Sequence, residues 1–555
     1  MPEKSATKTF RVALEGLGRE IQTEEGVSLL DAARAAGFAI DSECGSRGTC
    51  GQCRVRFLQG TPRLTPEDEL LLAAREAADG WRLACQAIIA GDCRILIPER
   101  TPRVRRQQIR VLTEAADAPT EPPSKRRGSA GYGAAIDIGT TTVVCYLMDL
   151  ERSQQIGVAS FANPQRAFGP DVISRIVHAH RGPRELKELQ RRLVSALDRA
   201  VASLCSERDI RVESLTSMTM VGNMTMMHLV CAVDPWPLGV APYEPVFTEA
   251  PEMRGTELGF RRLADCRVHV LPGVGGHLGS DVAAGVAALG LPHKEGVSLF
   301  LDLGTNGEIM LCSGGTTVGA TSAAGPAFEG VHIHSGMAAF PGAIERVTEE
   351  DGTLQLQTIE DLAPAGLCGS GLIDAVALLL RRGLLLPSGR LLRRDQVSSD
   401  AAAALRERLL DDENGRRFLL YENGARGDVV LTQKDIREVQ LAKAPLRAGI
   451  DVLLKDTGLS ADDVQEVLVA GAFGSSIQPE SLLALGAVPE SVRGRVHAVG
   501  NTAGLGAKLC LTYPEHLAAA REMARSMRHV DLAQREDFRE AFVEHMPFPE
   551  RRTRN

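Results

Sequence analysis

The sequence predicts an α/β protein in three parts: a small β-rich unit over 1–97, a linker over 98–131, and a large region of two similar lobes, 132–296 and 297–555, the second with a C-terminal extension. Three observations carry that expectation. Four cysteines, Cys44, Cys50, Cys53 and Cys85, fall as C-x5-C-x2-C followed by a lone fourth. The stretch TPRVRRQQIR, then EAADAPTEPPSKRRGSAG, is dominated by Pro, Arg and small polar residues, the composition of a partly extended tether. One pattern occurs twice, in AIDIGTTTVV and LFLDLGTNGEIML: an apolar strand ending in Asp, a Gly-Thr turn and a returning strand.

In the N-terminal unit, TFRVALEG and REIQTEE read as a hairpin and GVSLLDAARAAGF as a helix with apolar residues at helical spacing. QCRVRFLQG reads as a strand, and RLACQAII and CRILIPE close the unit as further strands. The Gly-rich loop ECGSRGTCGQC crowds Cys44, Cys50 and Cys53 together, and Cys85 arrives on a returning segment. Four thiolates so placed can wrap an inorganic cluster. Small residues in the loop let backbone amides turn toward the cluster sulfurs and stabilise the reduced state. Unrelated buried thiols or a structural zinc site are the alternatives. Zinc usually shows two short C-x2-C pairs, and only Cys50 and Cys53 make one here. The spacing resembles that of [2Fe-2S] ferredoxins of the plant and adrenodoxin kind, and the element order resembles the β-grasp ferredoxin fold; both imply a one-electron carrier.

From Tyr132 the chain alternates strands and helices. AAIDIGTTTVVCYLMDL gives two strands around a tight turn, IGVASFAN a third, and helices follow near Asp171–His180 and Glu185–Arg208. LTSMTMVGN leads into MTMMHLVCAV, and HVLPGVGGHLG into SDVAAGVAALG, as strand–helix steps. The hairpin pattern then restarts at Val297. Helices are expected in LCGSGLIDAVALLLRRGL and LTQKDIREVQLAKAPLRAGIDVLLKD, a strand-turn in EVLVAGAFGSS and a strand–helix in RVHAVGNTAGLGAKLCL. The C-terminal stretch reads as a helix, an edge strand and a last helix.

The repeated turns are candidates for nucleotide binding. Asp137, Gly139, Thr140, Thr141 and Thr142 form the first set; Asp302, Gly304, Thr305, Asn306, Gly307 and Glu308 form the second. Glycine permits close backbone approach, so amides and hydroxyls can hold phosphate oxygens while Asp137 and Asp302 hold Mg2+ directly or through water. One D-x-G-T is weak, because ordinary hairpins carry it; two, each after a strand and separated by most of a domain, are much stronger. A third glycine turn, with Gly471 and Gly474, follows a strand where a nucleoside can lie on bare backbone. Glu308 is a candidate for polarising a water, against the plainer reading of an exposed hairpin carboxylate. Asp281 either orients water or Mg2+ or caps a helix. FEGVHIHSGMAAFPGAIERV places His332 and His334 on an expected strand beside Ser335 and Gly336, a candidate contact for a metal or a flat macrocycle, though scattered surface histidines explain it as well. Gln165 and Arg166 are candidates to face a partner, and Met218, Met220, Met224, Met226 and Met227 read as core filling.

Composition narrows the class. At 555 residues, and about 150 per domain, three or four folded units are expected. A net charge of -8 without a basic block inside a folded segment argues against nucleic acid. The start, MPEKSATKTFRV, has no apolar h-region, and no run approaches the roughly 18 apolar residues of a membrane span. Cys93, Cys145, Cys205, Cys231, Cys266, Cys312, Cys368 and Cys510 show no pairing rhythm; unpaired thiols, a fragile cluster and nucleotide motifs point to the reducing cytoplasm.

The three turns together resemble the phosphate 1, phosphate 2 and adenosine motifs of the ASKHA superfamily, which implies ATP in a cleft between two RNase H-like halves. In that resemblance GVGGHLGSDVAAG and LCGSGLIDAVALLL take the connecting-helix positions. A ferredoxin unit tethered to an ASKHA ATPase resembles, over nearly the whole chain, the reductive activators of corrinoid proteins and the activating enzymes of corrinoid methyltransferases and O-demethylases. The stretches that carry this are CGSRGTCGQC, NPQRAFGPDVISRI, AIDIGTTT, DLGTNGE, GPAFEG, SGMAAFPGAIE, LTQKDIREVQLAKA and LVAGAFG. The resemblance implies ATP-dependent conversion of Co(II) to Co(I) in a corrinoid protein, with a [2Fe-2S] cluster, ATP and Mg2+ as cofactors. It also implies an external donor such as a ferredoxin or flavoprotein reductase; self-association into a homodimer stays open. A metabolite kinase with a redox-sensing ferredoxin, and an electron carrier with a structural ASKHA module, are the other classes considered.

Overall fold

A computed structural model describes residues 8–15, 19–36, 40, 53–72, 74–97, 131–169, 171–304, 306–323, 325–330, 333–337, 339, 341–397, 403–413, 415–424, 427–471 and 477–550. These fall into two compact units, an N-terminal one that includes Pro164–Arg175 and a second that holds the rest. The expected linker lies outside the described residues except for Gly131.

The N-terminal unit is built on strands β1 (Thr9–Leu14), β2 (Arg19–Glu24), β3 (Arg54–Gln59), β4 (Trp81–Leu83) and β5 (Cys93–Leu96), in the order β2-β1-β5-β3-β4. β1 and β2 form the expected hairpin, and β1 runs parallel to β5. Alternation in β1 and β3 turns Val12, Leu14, Val55 and Phe57 inward, onto Leu29 and Leu30 of helix Leu29–Ala35. Two short helices not anticipated from the sequence, Pro66–Leu71 and Ala74–Ala78, precede β4. The strand expected in RLACQAII is short: it ends at Leu83, so Cys85 stands in the turn beyond it.

The second unit contains two six-stranded sheets with one plan. In the first lobe, β6 (Tyr132–Ile138), β7 (Thr142–Asp149), β8 (Gln154–Ala162), β9 (Leu215–Gly222), β10 (Met253–Arg254) and β11 (Arg267–Val270) are ordered β10-β11-β9-β6-β7-β8. The second lobe opens with β12 (Val297–Leu303), β13 (Gly307–Ser313) and β14 (Thr316–Ser322). Two small sheets follow, of β15 (Ala343–Glu350), β16 (Thr353–Thr358) and β17 (Gly366–Leu367), then of β18 (Leu409–Asp412), β19 (Gly415–Tyr421) and β20 (Val429–Thr432). The lobe's main sheet is completed by β21 (Val464–Ala470), β22 (Val496–Gly500) and β23 (Arg528–His529), in the order β22-β21-β12-β13-β14-β23. Each lobe is thus an antiparallel meander, β6-β7-β8 or β12-β13-β14, whose first strand pairs in parallel with a later one, β9 or β21. Helix Gln433–Asp456, started by a Thr432–Asp435 capping box, lies against the second sheet. The five methionines are buried in the first lobe, as their irregular apolar spacing suggests.

Two helices tie the lobes together. Helix Ser280–Ala288 leaves the first lobe, yet Val282, Ala283 and Val286 pack on Phe300, Met310 and Leu468 of the second sheet. Helix Thr502–Thr512 leaves the second lobe, yet Ala503, Ala507 and Leu511 pack on Ala135, Val144 and Val221 of the first. The second connecting helix is therefore Thr502–Thr512 and not the expected LCGSGLIDAVALLL segment. That segment forms helix Gly369–Arg382, which packs on β15 and helix Pro479–Leu485 inside the second lobe. Where the connecting helices meet, a Cβ on Gly506 would lie 2.5 Å from Ala284 O, and one on Gly285 would lie 2.7 Å from Thr502 Oγ1. Gly506→Ala gains helix propensity of about 1 kcal/mol but forces a methyl into backbone. Overpacking of that kind costs about 1–3 kcal/mol, so a lowered denaturation midpoint of the full chain is expected, measured by urea titration.

Candidate functional site

Among the four cysteines predicted to hold a cluster, the structure describes two, and they converge. Cys53 Sγ and Cys85 Sγ are 3.3 Å apart, both buried and neither in a disulfide. The Cys85 amide is directed at Cys53 Sγ (3.5 Å) and Gln86 Nε2 at Cys85 Sγ (3.4 Å), donors of the sort that stabilise thiolates on iron. Cys85 is held in place by buried Asp68. One oxygen of Asp68 accepts from Leu83 N at 2.7 Å, and the other closes the capping box of helix Pro66–Leu71. Ala84 N adds a bond to Cys53 O at 2.7 Å. These residues fit an iron–sulfur group; Cys44 and Cys50 lie outside the described residues.

The second site forms where the two lobes' first strands end. Asp137 is near the end of β6 and Asp302 near the end of β12, each followed by a glycine turn: Gly139 N bonds Thr142 O at 3.0 Å, and Gly304 N bonds Asn306 O at 3.0 Å. At Gly139 a Cβ would stand 2.5 Å from Thr142 O, so this turn requires glycine. Thr140 Oγ1 accepts from Asn223 Nδ2 at 2.9 Å, Asn223 caps helix Met224–Val230, and Asn163 Nδ2 holds Gly139 O at 2.8 Å. Thr141 O accepts from Asn163 N. Thr305 and Gly474 lie outside the described residues. Gly471, at φ 105°, is pressed against the second carboxylate: a Cβ there would meet Leu303 O at 2.5 Å and Asp302 Oδ1 at 2.8 Å. Glu308 pairs with Asp302 across β12 and β13, so both carboxylates emerge on one face.

Asp281 joins them. The helix Ser280–Ala288 is capped by Gly279, not by Asp281, whose Oδ1 instead accepts from Val282 N at 2.9 Å. Gly279 is wedged against Asn223 and Gly222, and Ser280 Oγ donates to Gly222 O at 3.0 Å, which sets this helix start beside the end of β9. Burial pushes the Asp137 carboxyl up to about 7, opposed by the amide of Asn501 and aided by the charge of Asp281. Burial raises Asp281 to about 6, and raises Asp302 well above the carboxylate range, with the Asp281 and Asp137 charges adding to it. All three are only partly shielded from solvent, so they remain reachable. Three acids that feel one another and are short of water favour a cation. Among the described residues, no three His, Cys, Asp or Glu side chains are set to ligate one ion directly. That suits Mg2+, which keeps several waters and takes one or two carboxylates with phosphate oxygens.

Sequence reasoning missed Asn501, whose Nδ2 donates to Asp137 Oδ2 at 2.7 Å. Its readable signal was helix capping, an Asn just ahead of TAGLGAKL; the contact to Asp137 had none. The segment at 333–337 differs from expectation. His334 is in a turn, not on a strand, with its N–H on Asp435 Oδ1 at 2.7 Å, and His332 lies outside the described residues. Ser335 is buried; its Oγ accepts from Val430 N at 3.0 Å, and Gly336 bridges to Leu367, with no room for a Cβ beside Gly330 O. Packing between β20 and β17 thus occupies the hydroxyl and the bare backbone that a flat cofactor would need, which argues against a macrocycle contact there.

The carboxyls' raised affinity for protons has a consequence for stability. A folded-state value above the unfolded one means that stability is greatest at low pH and falls as pH rises, for Asp137 from 3.8 through about 7. Asp302→Asn removes one of the three charges. The expected outcome is a melting temperature several degrees higher for the Mg2+-free variant at about pH 8 and little changed at about pH 5, checked by thermal denaturation with and without Mg2+.

Comparison with known proteins agrees with this architecture. Residues 296–555 match the C-terminal domain of RACo, the ASKHA domain; 132–294 match the RACo middle region; and 12–90 match a 2Fe-2S iron-sulfur cluster binding domain. The corrinoid activation enzyme RamQ of Eubacterium limosum is 35% identical over 425 residues, 76% of this chain and 71% of that protein. The [Co(II) methylated amine-specific corrinoid protein] reductase of Methanosarcina barkeri is 24% identical over 72% of this chain and 71% of its own. A solved reductive activator for corrinoid, iron-sulfur protein superposes with a TM-score of 0.69 at 29% identity, covering 97% of this chain and 98% of its own. The chain belongs to the RACo family of corrinoid-activating proteins.

Proposed function

We propose that this protein reactivates the corrinoid of a partner protein: one electron passes from its [2Fe-2S] cluster to Co(II), which becomes Co(I), and ATP bound in the two-lobed unit drives the step. The observation that carries the reading is the pairing, in one chain, of converging cluster thiols with a three-carboxylate site at matched strand ends. Family membership over both the ferredoxin-type and the ASKHA parts supports it against the kinase and passive-carrier alternatives. An external ferredoxin or flavoprotein reductase returns the electron to the cluster.

When bound, the cluster supplies single electrons and Mg2+-ATP supplies the free energy for an uphill reduction. The chain's own residues have separate tasks. The backbone amides of the Gly139 and Gly304 turns and the Thr140 and Thr141 hydroxyls would hold phosphate oxygens, and Thr305 is the sequence candidate for the same task in the second turn. Asp137 and Asp302 would hold Mg2+, directly or through water, with Asn306 beside the second turn. Asp281 and Glu308 would orient a water toward the terminal phosphate. Gly471 would offer bare backbone to the nucleoside, and Gly474 is the sequence candidate for the same task. Because the connecting helices cross between the lobes, closing the lobes on nucleotide gives the two-state element that an energy-coupled step requires.

The test mixes the full chain with a Co(II)-corrinoid protein and a reductant and follows cobalt's visible spectrum. Co(I) is expected with Mg2+-ATP and not without it. Asp137→Ala and Asp302→Ala should each lower ATP turnover by orders of magnitude while leaving the cluster's visible bands intact. Cys53→Ser or Cys85→Ser should bleach those bands and abolish corrinoid reduction while ATP turnover survives. Co(I) formation at equal rates without ATP would reduce the second unit to a passive scaffold.

A further inference from the structure

The geometry points to Asn501 as the positioning residue of the cation site: its amide orients Asp137 from the opposite lobe. This rests on the nucleotide reading above. Asn501 follows the last residue of β22 in the second lobe's sheet, whereas Asp137 belongs to β6 of the first, 364 positions away in sequence. The side chain is buried, 6% exposed, and both of its ends are engaged. Oδ1 accepts from Gly504 N at 2.7 Å, which caps helix Thr502–Thr512. Nδ2 donates to Asp137 Oδ2 at 2.7 Å and faces Tyr146 Oη at 3.4 Å. The two ends cannot be exchanged, because a flipped amide would set NH2 against the Gly504 N–H and a carbonyl oxygen against the carboxylate.

The backbone around Asn501 is equally constrained. Gly500, at φ 65°, accepts from Gly471 N at 3.2 Å, and Gly471 is the residue pressed on Asp302. A Cβ on Gly504 would fall 2.5 Å from Tyr146 Oη, so the helix start is seated directly on β7. Asn501 can neither slide nor rotate without losing its helix cap, and Asp137 Oδ2 is consequently pinned. The other oxygen, Oδ1, is left for the hydrated cation. Groups that hydrogen-bond a metal-holding carboxylate typically account for about 10–100-fold in metal affinity or activity.

Asn501→Ser and Asn501→Gly separate positioning from capping, since both residues are accepted at a helix N-cap and neither reaches Asp137. With ATP saturating, Mg2+-dependent turnover is titrated for the full-length protein and each variant, beside their melting temperatures and cluster spectra. The expected result is a half-saturating Mg2+ concentration raised about 10-fold or more, with turnover recovering at high Mg2+ and little change in melting temperature. A loss that Mg2+ does not restore, in both variants, assigns Asn501 to structure and overturns the inference. So does an unchanged Mg2+ dependence in both. Absence of Mg2+-dependent turnover in the unsubstituted protein overturns the nucleotide reading, and this inference with it.

Discussion

Two helices cross between the lobes at a point that admits no side chain at Gly285 or Gly506. Gly506 lies against the backbone of Ala284 and Gly285 against the side chain of Thr502, and each helix covers the sheet of the lobe it did not come from. Exchange of this kind makes the lobes interdependent: the first sheet lacks part of its apolar cover without Ala503, Ala507 and Leu511, and the second without Val282 and Val286. It also decides where the chemistry falls. Both helices begin beside strand ends, those of β9 and β22, so Asp281 and the capping Asn501 arrive at the carboxylates.

The carboxylates at that junction oppose folding in the absence of a cation, because burial raises all three toward neutrality and neighbouring charges add to it at Asp137 and Asp302. A protein accepts such a cost where function needs it. The neighbouring glycines show how little freedom remains: Gly139, Gly279 and Gly471 each stand where a Cβ would strike backbone or carboxylate. The same close packing that desolvates the acids therefore also fixes the turns, and a cation among the three carboxylates relieves the cost.

The N-terminal unit solves a different problem, bringing the thiol of Cys85, in the turn after a short strand, beside that of Cys53. Asp68 does this with two oxygens, one on a helix start and one on Leu83 N, so that Cys85 follows at a set position next to Cys53. Electron chemistry and nucleotide chemistry thus have separate supports. Changes to either set of ligands are expected to act on one function alone.

Much of this was legible in the chain itself. Asp137, Gly139, Asp302 and Gly304 announce themselves because a strand-end Asp and a turn glycine are neighbours in sequence, and hairpin geometry acts over a few residues. The helices Gln433–Asp456 and Thr502–Thr512 follow from apolar periodicity for the same reason, and the methionine core from its apolar composition. Cys85 was expected to meet Cys53 and does, although in a turn and not on a strand. The small sheets of β15 to β20, the burial of Ser335 under Val430, and the choice of Thr502–Thr512 over Gly369–Arg382 as connecting helix were not legible. Each depends on which apolar face meets which, and periodicity marks a face without naming its partner. The tertiary structure alone decided that Asn501 serves Asp137. Local preference explains an asparagine at a helix start, but only the lobes' exchange of helices brings that amide within 2.7 Å of a carboxylate 364 residues away.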